Sequence, residues 1–360
     1  MKIGILTFHC AHNYGAMLQC YALQESLRSL GHEVYVIDYR PAYLTNGYLR
    51  HSLRHWLARS PWRTVKKLLT EPFLYHKREV RWDGFHAFMT EYLNLYPYNP
   101  DSTYADFDWM LFGSDQIWNR NLTGGELDEV FLGKGIECKK ATYAASMGVI
   151  NLDQPTVDLL TRYLPRFEAL SVRETSLRDA LQPLVNKKIE AVCDPVLLLP
   201  RSHWERLCRP VSHARPYVLC YNLLQSEACR EQAEIVAKAR GLDIVEISGI
   251  VLPFISEKQC KQQLNPIEFI SYFKEASFVV TSSFHGTAFS LIFQKEFYVI
   301  GMGHLADRSA SLLHLIGLSE RLLQDVLYIA DEEYNYTSHN GQIKDWISKS
   351  IMFLNFLNEG

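Results

Sequence analysis

Residues 2–38 read KIGILTFHCAHNYGAMLQCYALQESLRSLGHEVYVID, and the order of elements in this stretch indicates the architecture of the chain. Lys2 to Phe8 is a short apolar run of the kind that forms a buried parallel strand. Gly15 opens a helical segment, and Gly31 is placed to end it. The apolar side chains of that segment recur on one helical face, at Ala16, Cys20, Leu23, Leu27 and Leu30. Glu33 to Ile37 predicts a second strand, and a strand–helix–strand unit is typical of a parallel α/β sheet.

Alternation of strands and helices continues in two blocks, which predicts two Rossmann-like, doubly wound domains that face a cleft. Strands are predicted over Ala141–Ala145, Tyr217–Asn222 and Phe278–Thr281, and the run Asn265–Glu268 predicts the capped start of a helix. With 360 residues, the chain also exceeds the roughly 250–300 residues at which a single hydrophobic core stops growing. We assign residues 1–200 to an amino-terminal domain with a basic helical insertion near 43–96. Residues 201–335 form a carboxyl-terminal domain that carries the predicted donor site. Residues 336–360 predict an amphipathic helix that packs on the body of the protein.

Composition and charge argue against several classes of protein. The net charge of −3 gives no reason to expect nucleic-acid binding. The apolar run at the amino terminus is shorter than a signal-peptide core, and no stretch approaches the ~18 apolar residues of a membrane span. None of the eight cysteines forms a CxxC pair, so we expect neither disulfides nor a zinc site. These features predict a protein of the reducing cytoplasm.

Polar residues directly follow apolar strands in four segments, and ligands of doubly wound sheets bind at the carboxyl ends of the strands. The four segments are His9–Gly15, Gly113–Gln116, Ser171–Glu174 and Thr281–Gly286. The first precedes a helix N-terminus, which suits an anion, although the same pattern fits a plain turn. The second can hydrogen-bond sugar hydroxyls or a carboxylate, but it also fits the capped start of a helix.

The third and fourth segments carry the most reactive candidates. Arg173 can bind a carboxylate or a phosphate with its planar guanidinium, or it can pair with Glu174 or another acid as a structural ion pair. His285 lies between a strand and a buried helix, where backbone N–H groups suit an anion and an imidazole can exchange protons near neutral pH. We therefore hypothesise that His285 is a general acid–base.

Six motifs occur along most of the chain. They are NYGAMLQCYAL (Asn13–Leu23), GSDQIWN (Gly113–Asn119), YAASMG (Tyr143–Gly148), SVRE (Ser171–Glu174), DPVLLL (Asp194–Leu199) and SSFHGTAFSLIFQKEF (Ser282–Phe297). Together and in this order they resemble the polysaccharide pyruvyl transferase family. The resemblance implies two Rossmann-like domains similar to the GT-B glycosyltransferases, with the active site between them. It also implies transfer from phosphoenolpyruvate to a sugar of a cell-surface polysaccharide, which gives a cyclic pyruvate ketal.

Within this interpretation the candidate residues divide into three sets. His285 and Arg173 are the predicted catalytic residues. The predicted donor-binding residues are Arg308, Ser282, Ser283, Gly286 and Ser309. The residues placed at the acceptor or in the cleft are Asn13, Tyr14, Ser114, Asp115, Gln116, Ser146 and Glu174. We predict no cofactor, since phosphoenolpyruvate is a co-substrate, and no metal, since a lone Asp115 or Asp194 does not form a cation site.

One position departs from the family pattern. Better-known members resemble this chain at the histidine but carry a basic residue two positions before it, where this chain has Ser283. Arg308 follows the predicted strand Phe297–Ile300 and is the candidate that replaces the missing cation.

Residues 50–82 form a strongly basic segment in which only Glu71 and Glu79 are acidic. Its basic residues are Arg50, Arg54, Arg59, Arg63, Lys66, Lys67, Lys77, Arg78 and Arg81, with Trp56, Trp62 and Trp82 interleaved. One interpretation is an interfacial helix that brings the enzyme to anionic lipid and a lipid-linked oligosaccharide acceptor at the inner face of the membrane. The other is a solvated helical insertion.

Two other functions fit the same pattern of residues. A GT-B glycosyltransferase would use the helix N-terminus and the arginine for the diphosphate of a nucleotide sugar. A non-catalytic glycan- or anion-binding protein would bind its ligand without turnover and would tolerate loss of His285. The donor separates the first of these from a pyruvyl transferase, and turnover separates the second.

Overall fold

The computed structural model describes residues 1–45, 61–223, 225–301, 306–324 and 340–358. The predictions made for residues 46–60 and 336–339 fall outside these ranges. Among the described helices, none has the length and apolar character needed to cross a bilayer.

The amino-terminal half is built on a parallel sheet. Its strands are β1 (Lys2–Leu6), β2 (Glu33–Asp38), β3 (Leu95–Pro97), β4 (Trp109–Phe112) and β5 (Lys139–Thr142). They are arranged in the order β3-β2-β1-β4-β5. Two short parallel strands, β6 (Leu170–Val172) and β7 (Ile189–Ala191), pair with each other. Isolated parallel bridges, one of them between Ala141 and Ala169, set β6 beside β5.

The carboxyl-terminal half repeats this arrangement. Its strands are β8 (Tyr217–Asn222), β9 (Asp243–Ser248), β10 (Phe278–Thr281), β11 (Glu296–Ile300) and β12 (Leu322–Leu323). All pairs are parallel, in the order β12-β11-β10-β8-β9. The two parallel sheets with their connecting helices confirm the predicted α/β fold with two Rossmann-like halves.

Eleven α-helices lie within the described residues. They are α1 (Tyr14–Ser29), α2 (Ala42–Thr45), α3 (Pro61–Tyr92), α4 (Gln154–Tyr163), α5 (Thr175–Leu181), α6 (Arg201–Leu207), α7 (Glu227–Arg240), α8 (Pro266–Glu275), α9 (Phe284–Ile292), α10 (Ala306–Leu315) and α11 (Asn340–Asn355). The start of α8 has the predicted capping box, in which Asn265 and Glu268 each bond the other's backbone N–H. Gly31, with φ of 87°, follows the end of α1 as predicted.

Apolar side chains cover both faces of each sheet. Along β4, Leu111 belongs to one core, while Met110 and Phe112 belong to the core on the opposite face. The core that contains Leu111 also contains Val279 of β10, so the two halves share it. At its centre the start of α1 packs on α8, with the rings of Tyr14 and Phe269 stacked at 4.3 Å between centroids. The halves are therefore joined by buried apolar surface below the carboxyl ends of their strands.

The last helix, α11, returns to the amino-terminal half. The Ser350 hydroxyl accepts a hydrogen bond from the Cys193 N–H at 2.9 Å. Phe353 packs near Tyr143, and Phe356 beyond the helix contacts Trp109 edge-on at 6.0 Å. The carboxyl-terminal segment thus packs on the first half of the body.

Two elements differ from the sequence-based expectation. The strand expected over Ala141–Ala145 ends at Thr142, because Ala144 has a left-handed backbone with φ of 48° that interrupts the pleat. The helical insertion expected near 43–96 contains the short α2 and one 32-residue helix, α3, followed by β3.

Candidate active site

The loops after several strands of the amino-terminal half meet the loop after β10 of the other half. Asp194, which follows β7, lies 3.6 Å from His285 at the start of α9. Gly15 at the start of α1 also contacts the His285 ring. Because the carboxyl ends of parallel strands share one edge of a sheet, these loops bring candidates from both halves to one place.

Arg173 is the centre of this site, with a side chain only 1% exposed. Its Nη1 donates to Asp194 at 2.8 Å, its Nε donates to Glu174 at 3.0 Å, and its Nη2 lies 3.8 Å from Asp115. Burial alone would lower the pKa of Arg173, but the three carboxylates raise it above its ordinary value. The guanidinium also covers the Phe284 ring at 4.7 Å. The structural ion pair that the sequence left open is therefore present, whereas a catalytic role of Arg173 stays a prediction.

Asp194 links Arg173 to His285. One oxygen of this fully buried carboxylate accepts from the Val196 N–H at 3.1 Å, and the other accepts from Arg173. Burial raises the pKa of Asp194, but His285 and Arg173 outweigh it and hold the pKa at about 2. Asp194 is therefore ionised at neutral pH. At 3.6 Å it is too far from His285 Nε2 for a hydrogen bond, so its influence on the imidazole is electrostatic.

His285 is 7% exposed, and its Nε2 has no hydrogen-bond partner within the described chain. A buried polar nitrogen without a partner is costly, and such atoms recur at sites that take up a ligand. Two other buried atoms of the cluster, Glu174 Oε2 and Arg173 Nη2, share this property. The site thus offers one acceptor oxygen, one guanidinium N–H group and one imidazole nitrogen for a polar ligand.

The start of α1 packs tightly against the imidazole. The Asn13 side chain caps this helix by accepting from the N–H groups of Gly15 at 2.9 Å and Ala16 at 3.3 Å. A Cβ atom at Gly15 would overlap Nδ1 of His285, so only glycine fits there without displacing the ring.

Residues of the predicted donor set surround the start of α9. Ser283 caps this helix by accepting from the Gly286 N–H at 3.4 Å. Ser282 accepts from the Leu223 N–H at 3.3 Å, and Ser309 of α10 meets Thr287 of α9 at 3.5 Å. The set is therefore brought together, and Ser283, which replaces the basic residue of the family pattern, serves as a helix cap.

Arg308 at the start of α10 is partly buried and forms no hydrogen bond or ion pair with the described residues. Burial lowers the pKa of Arg308, and the charge of Arg173 lowers it further, while Glu174 and Asp115 act in the opposite direction. The guanidinium therefore shares the electrostatic environment of the Arg173 cluster without a carboxylate of its own.

The predicted acceptor residues divide between the cluster and the core. Ser146 donates to Glu174 at 2.9 Å, and Asp115 lies by Arg173. Gln116 accepts from the Asn119 side chain at 2.8 Å. Two further members are fully buried elsewhere: Ser114 bonds the Gln19 side chain, and Tyr14 stacks on Phe269. Within the described residues, neither side chain forms a hydrogen bond with Arg173, Asp194 or His285.

Two residues of this region were not among the sequence-based candidates. Asp194 could have been found, because it follows a strand in the motif DPVLLL as Arg173 follows one in SVRE. Arg81 of α3 lies buried against the His12–Tyr14 loop, and nothing in its basic surroundings distinguishes it from its neighbours in sequence.

Gly15→Ala should destabilise the protein by about 1–3 kcal/mol, because the added methyl group must displace the His285 ring. Urea unfolding measures this cost. Gly341→Ala is the matched control, since Gly341 is also the second residue of a helix and its Cβ would meet no atom within 4 Å. In a His285→Ala background the cost of Gly15→Ala should largely disappear. An unchanged cost in that background would show that the contact with His285 is not its cause.

Comparison with known proteins adds a family to this geometry. The family model described as polysaccharide pyruvyl transferase matches residues 13–304, a span that contains Gly15, Arg173, Asp194 and His285 and ends before Arg308. No curated protein sequence matches the chain.

Solved structures give distant likenesses. A UDP-GlcNAc 2-epimerase from Methanocaldococcus jannaschii is 11% identical, covers 100% of both chains and has a TM-score of 0.46. The glycosyltransferase SsfS6 from Streptomyces sp. SF2575 is 15% identical, covers 98% of this chain and 96% of its own, and has a TM-score of 0.41. These likenesses are too distant to bear on function.

Proposed function

This chain belongs to the polysaccharide pyruvyl transferase family, and on that premise we propose that it transfers a pyruvyl group from phosphoenolpyruvate to a sugar. The acceptor is a sugar of a cell-surface polysaccharide or its precursor. The observation that best supports this proposal is the environment of Arg308. This cation has no partner among the described residues, and it lies in the field of the buried charged cluster of Arg173, Glu174 and Asp194 beside His285. A carboxylate and a phosphate on one small donor would supply the counter-charges.

The proposed reaction makes two C–O bonds and breaks one. Proton transfer to the methylene carbon of phosphoenolpyruvate makes the adjacent carbon electrophilic, and one sugar hydroxyl adds there. The bond to the phosphate oxygen then breaks, and a second hydroxyl of the same sugar closes the ketal. Of the two hydroxyl protons, one ends on the new methyl group and the other on the departing phosphate or in solvent.

The residues divide between donor binding and proton transfer. Arg308 and the N–H groups at the start of α9 bind the donor anion, with Ser283 and Gly286 shaping that end of the helix. His285 is the general acid–base, and its unpartnered Nε2 is the atom that exchanges the proton. Arg173 donates to Asp194, which lies 3.6 Å from Nε2 of His285, and so holds that carboxylate beside the imidazole. Phosphoenolpyruvate is a co-substrate, and no cofactor takes part.

His285→Ala should lower acceptor-dependent release of phosphate from phosphoenolpyruvate by about 100-fold or more, the usual contribution of a positioned acid–base. The assay uses purified protein and a panel of galactose-, mannose- and glucose-type acceptors with lipid-like aglycones. His32→Ala is a matched control. His32 is 8% exposed, and its Nε2 also has no partner in the described chain, but it lies beyond the end of α1 before β2.

The outcomes of this assay separate the alternatives. Equal loss in both variants would mean that the fold, not the reaction, was damaged. Normal turnover by His285→Ala would refute the assigned role. Release of nucleoside diphosphate from a nucleotide sugar, without release of phosphate from phosphoenolpyruvate, would indicate a glycosyltransferase. Ligand binding without any turnover would indicate a binding protein.

Arg308→Met should raise the KM for phosphoenolpyruvate by about 10- to 100-fold, since a hydrogen bond to a charged group contributes roughly 1.5–3 kcal/mol. Steady-state kinetics at saturating acceptor measure it. Arg240→Met is the control, because Arg240 ends α7 and pairs with Glu296, which begins β11. An unchanged KM in Arg308→Met would exclude this arginine from the donor site.

We also propose that the protein contacts the cytoplasmic face of a membrane through the segment 50–82, where a lipid-linked acceptor would be found. The rings of Phe73 on α3 and Phe254 lie 4.9 Å apart although they are 54% and 68% exposed. Ile250 in the same loop is 52% exposed. Exposed aromatic residues beside a basic helix favour an anionic lipid interface.

Intact protein should sediment with vesicles of anionic lipid and not with neutral ones. The doubly substituted Lys66→Glu, Lys67→Glu protein and the Phe254→Ser protein should both sediment less, through lost charge attraction and lost apolar burial. Met352→Ser is the control, since Met352 is 69% exposed on α11. Failure of the intact protein to sediment would end the membrane proposal and leave the transferase untouched.

A further inference from the structure

Arg81 is a buried cation on α3 that pairs with none of the described carboxylates. It is 5% exposed, and its guanidinium lies 4.7 Å from the Tyr14 ring and 5.0 Å from the Phe85 ring. Burying a charge costs several kcal/mol unless hydrogen bonds replace its water. The position of Arg81 therefore depends on the bonds that it makes.

The hydrogen bonds of Arg81 reach both halves of the protein. Its Nη1 donates to the Tyr14 hydroxyl and to the Gln262 carbonyl, both at 2.9 Å. Its Nη2 donates to the His12 carbonyl at 3.2 Å and to the Gly249 carbonyl at 3.0 Å. Two acceptors precede or begin α1 in the amino-terminal half, and two lie between β9 and α8 in the carboxyl-terminal half. A planar guanidinium can serve four acceptors in fixed directions, which a lysine ammonium cannot do.

The amino-terminal side of this contact leads directly to the site. Tyr14 is the first residue of α1, and the next residue, Gly15, packs against the His285 ring. Burial raises the pKa of Tyr14 to about 12, so its hydroxyl stays neutral and available to Arg81 at any ordinary pH. Arg81 therefore holds the segment whose next residue, Gly15, packs against the imidazole.

We infer that Arg81 is a positioning residue that fixes the two halves relative to each other, so that the start of α1 meets His285. The expected effect of Arg81 on kcat rests on the proposed function, whereas its structural role does not. The proposed donor residues lie at the start of α9 and on α10, within one half, so donor binding does not require Arg81. Transfer requires the acceptor and the donor in one geometry, and a misplacement of about 1 Å can cost roughly 100-fold in rate.

The test compares Arg81→Lys with Arg78→Lys, a control at an exposed arginine three residues earlier on the same helix. Arg81→Lys should lower kcat for phosphate release by about 10- to 100-fold and leave the Kd for phosphoenolpyruvate, measured by calorimetry, within about twofold. Tyr14→Phe, which removes one bond and keeps the ring stack, should lower kcat in the same direction by a smaller factor. This second variant carries the test if Arg81→Lys does not fold.

Hydrogen exchange tests the same inference without any turnover. Arg81→Lys should raise exchange by about tenfold or more in residues 9–14 and 249–262 together, and leave the strands of both sheets protected. A kcat unchanged in both variants would overturn the inference, as would faster exchange across both sheets. If intact protein releases no phosphate from phosphoenolpyruvate, the proposed function fails, and the exchange result alone then supports or overturns the positioning role.

Discussion

Arg173 carries its charge in the interior of the protein, within 4 Å of carboxylates from three different loops. Each of these loops follows a strand of the amino-terminal half, so one guanidinium sets their relative positions. Removing one partner from such a buried pair costs about 3–5 kcal/mol, because the remaining charge is left without compensation. The location of His285 depends on the same arrangement, since Asp194 lies between the arginine and the imidazole. The loops of the site therefore keep their relative positions because separating these buried charges would cost free energy.

The two halves are joined by an apolar core and by the hydrogen bonds of Arg81. These two kinds of contact constrain the halves in different ways. The shared core, in which Tyr14 stacks on Phe269, is apolar, and apolar burial is not directional. The hydrogen bonds of Arg81 are directional and leave little freedom to the loop that they hold. Gly15 makes the final contact, where the absence of a side chain lets the start of a helix approach an imidazole. Apolar packing thus joins the halves, and directional bonds align them.

We proposed that Arg308 takes the place of a cation that Ser283 does not supply, and the positions of both residues support that proposal. The serine caps α9, which a basic side chain would not do, and so keeps that helix start ordered. Arg308 supplies a positive charge from the following helix, in the field of the same carboxylates. In this proposal the cation of the donor site comes from α10 and not from the start of α9. Arg308 lies outside the six motifs, and its place after the strand Phe297–Ile300 was the signal in the sequence that pointed to it.

Local patterns in the sequence were sufficient for the elements and for the fold class. The strands Tyr217–Asn222 and Phe278–Thr281 and the capped start of α8 at Asn265 occur as predicted, because apolar runs, helical spacing and capping depend on neighbours within a few residues. The strand expected to reach Ala145 ended early, since a left-handed residue leaves no trace in an apolar run.

The sequence did not show which polar groups become partners, because tertiary packing determines that. Arg173 donates to Asp194, 21 residues away in sequence, and Arg81 donates to Gln262, 181 residues away. Ser114 and Tyr14, which the sequence placed at the acceptor or in the cleft, are fully buried. A charged or polar residue shows in sequence that it needs a partner, but not which partner packing brings to it. The chain therefore carries in its sequence the strands and helices that place polar residues at the carboxyl edge of each sheet. The docking of the two halves determined which of those residues form the site.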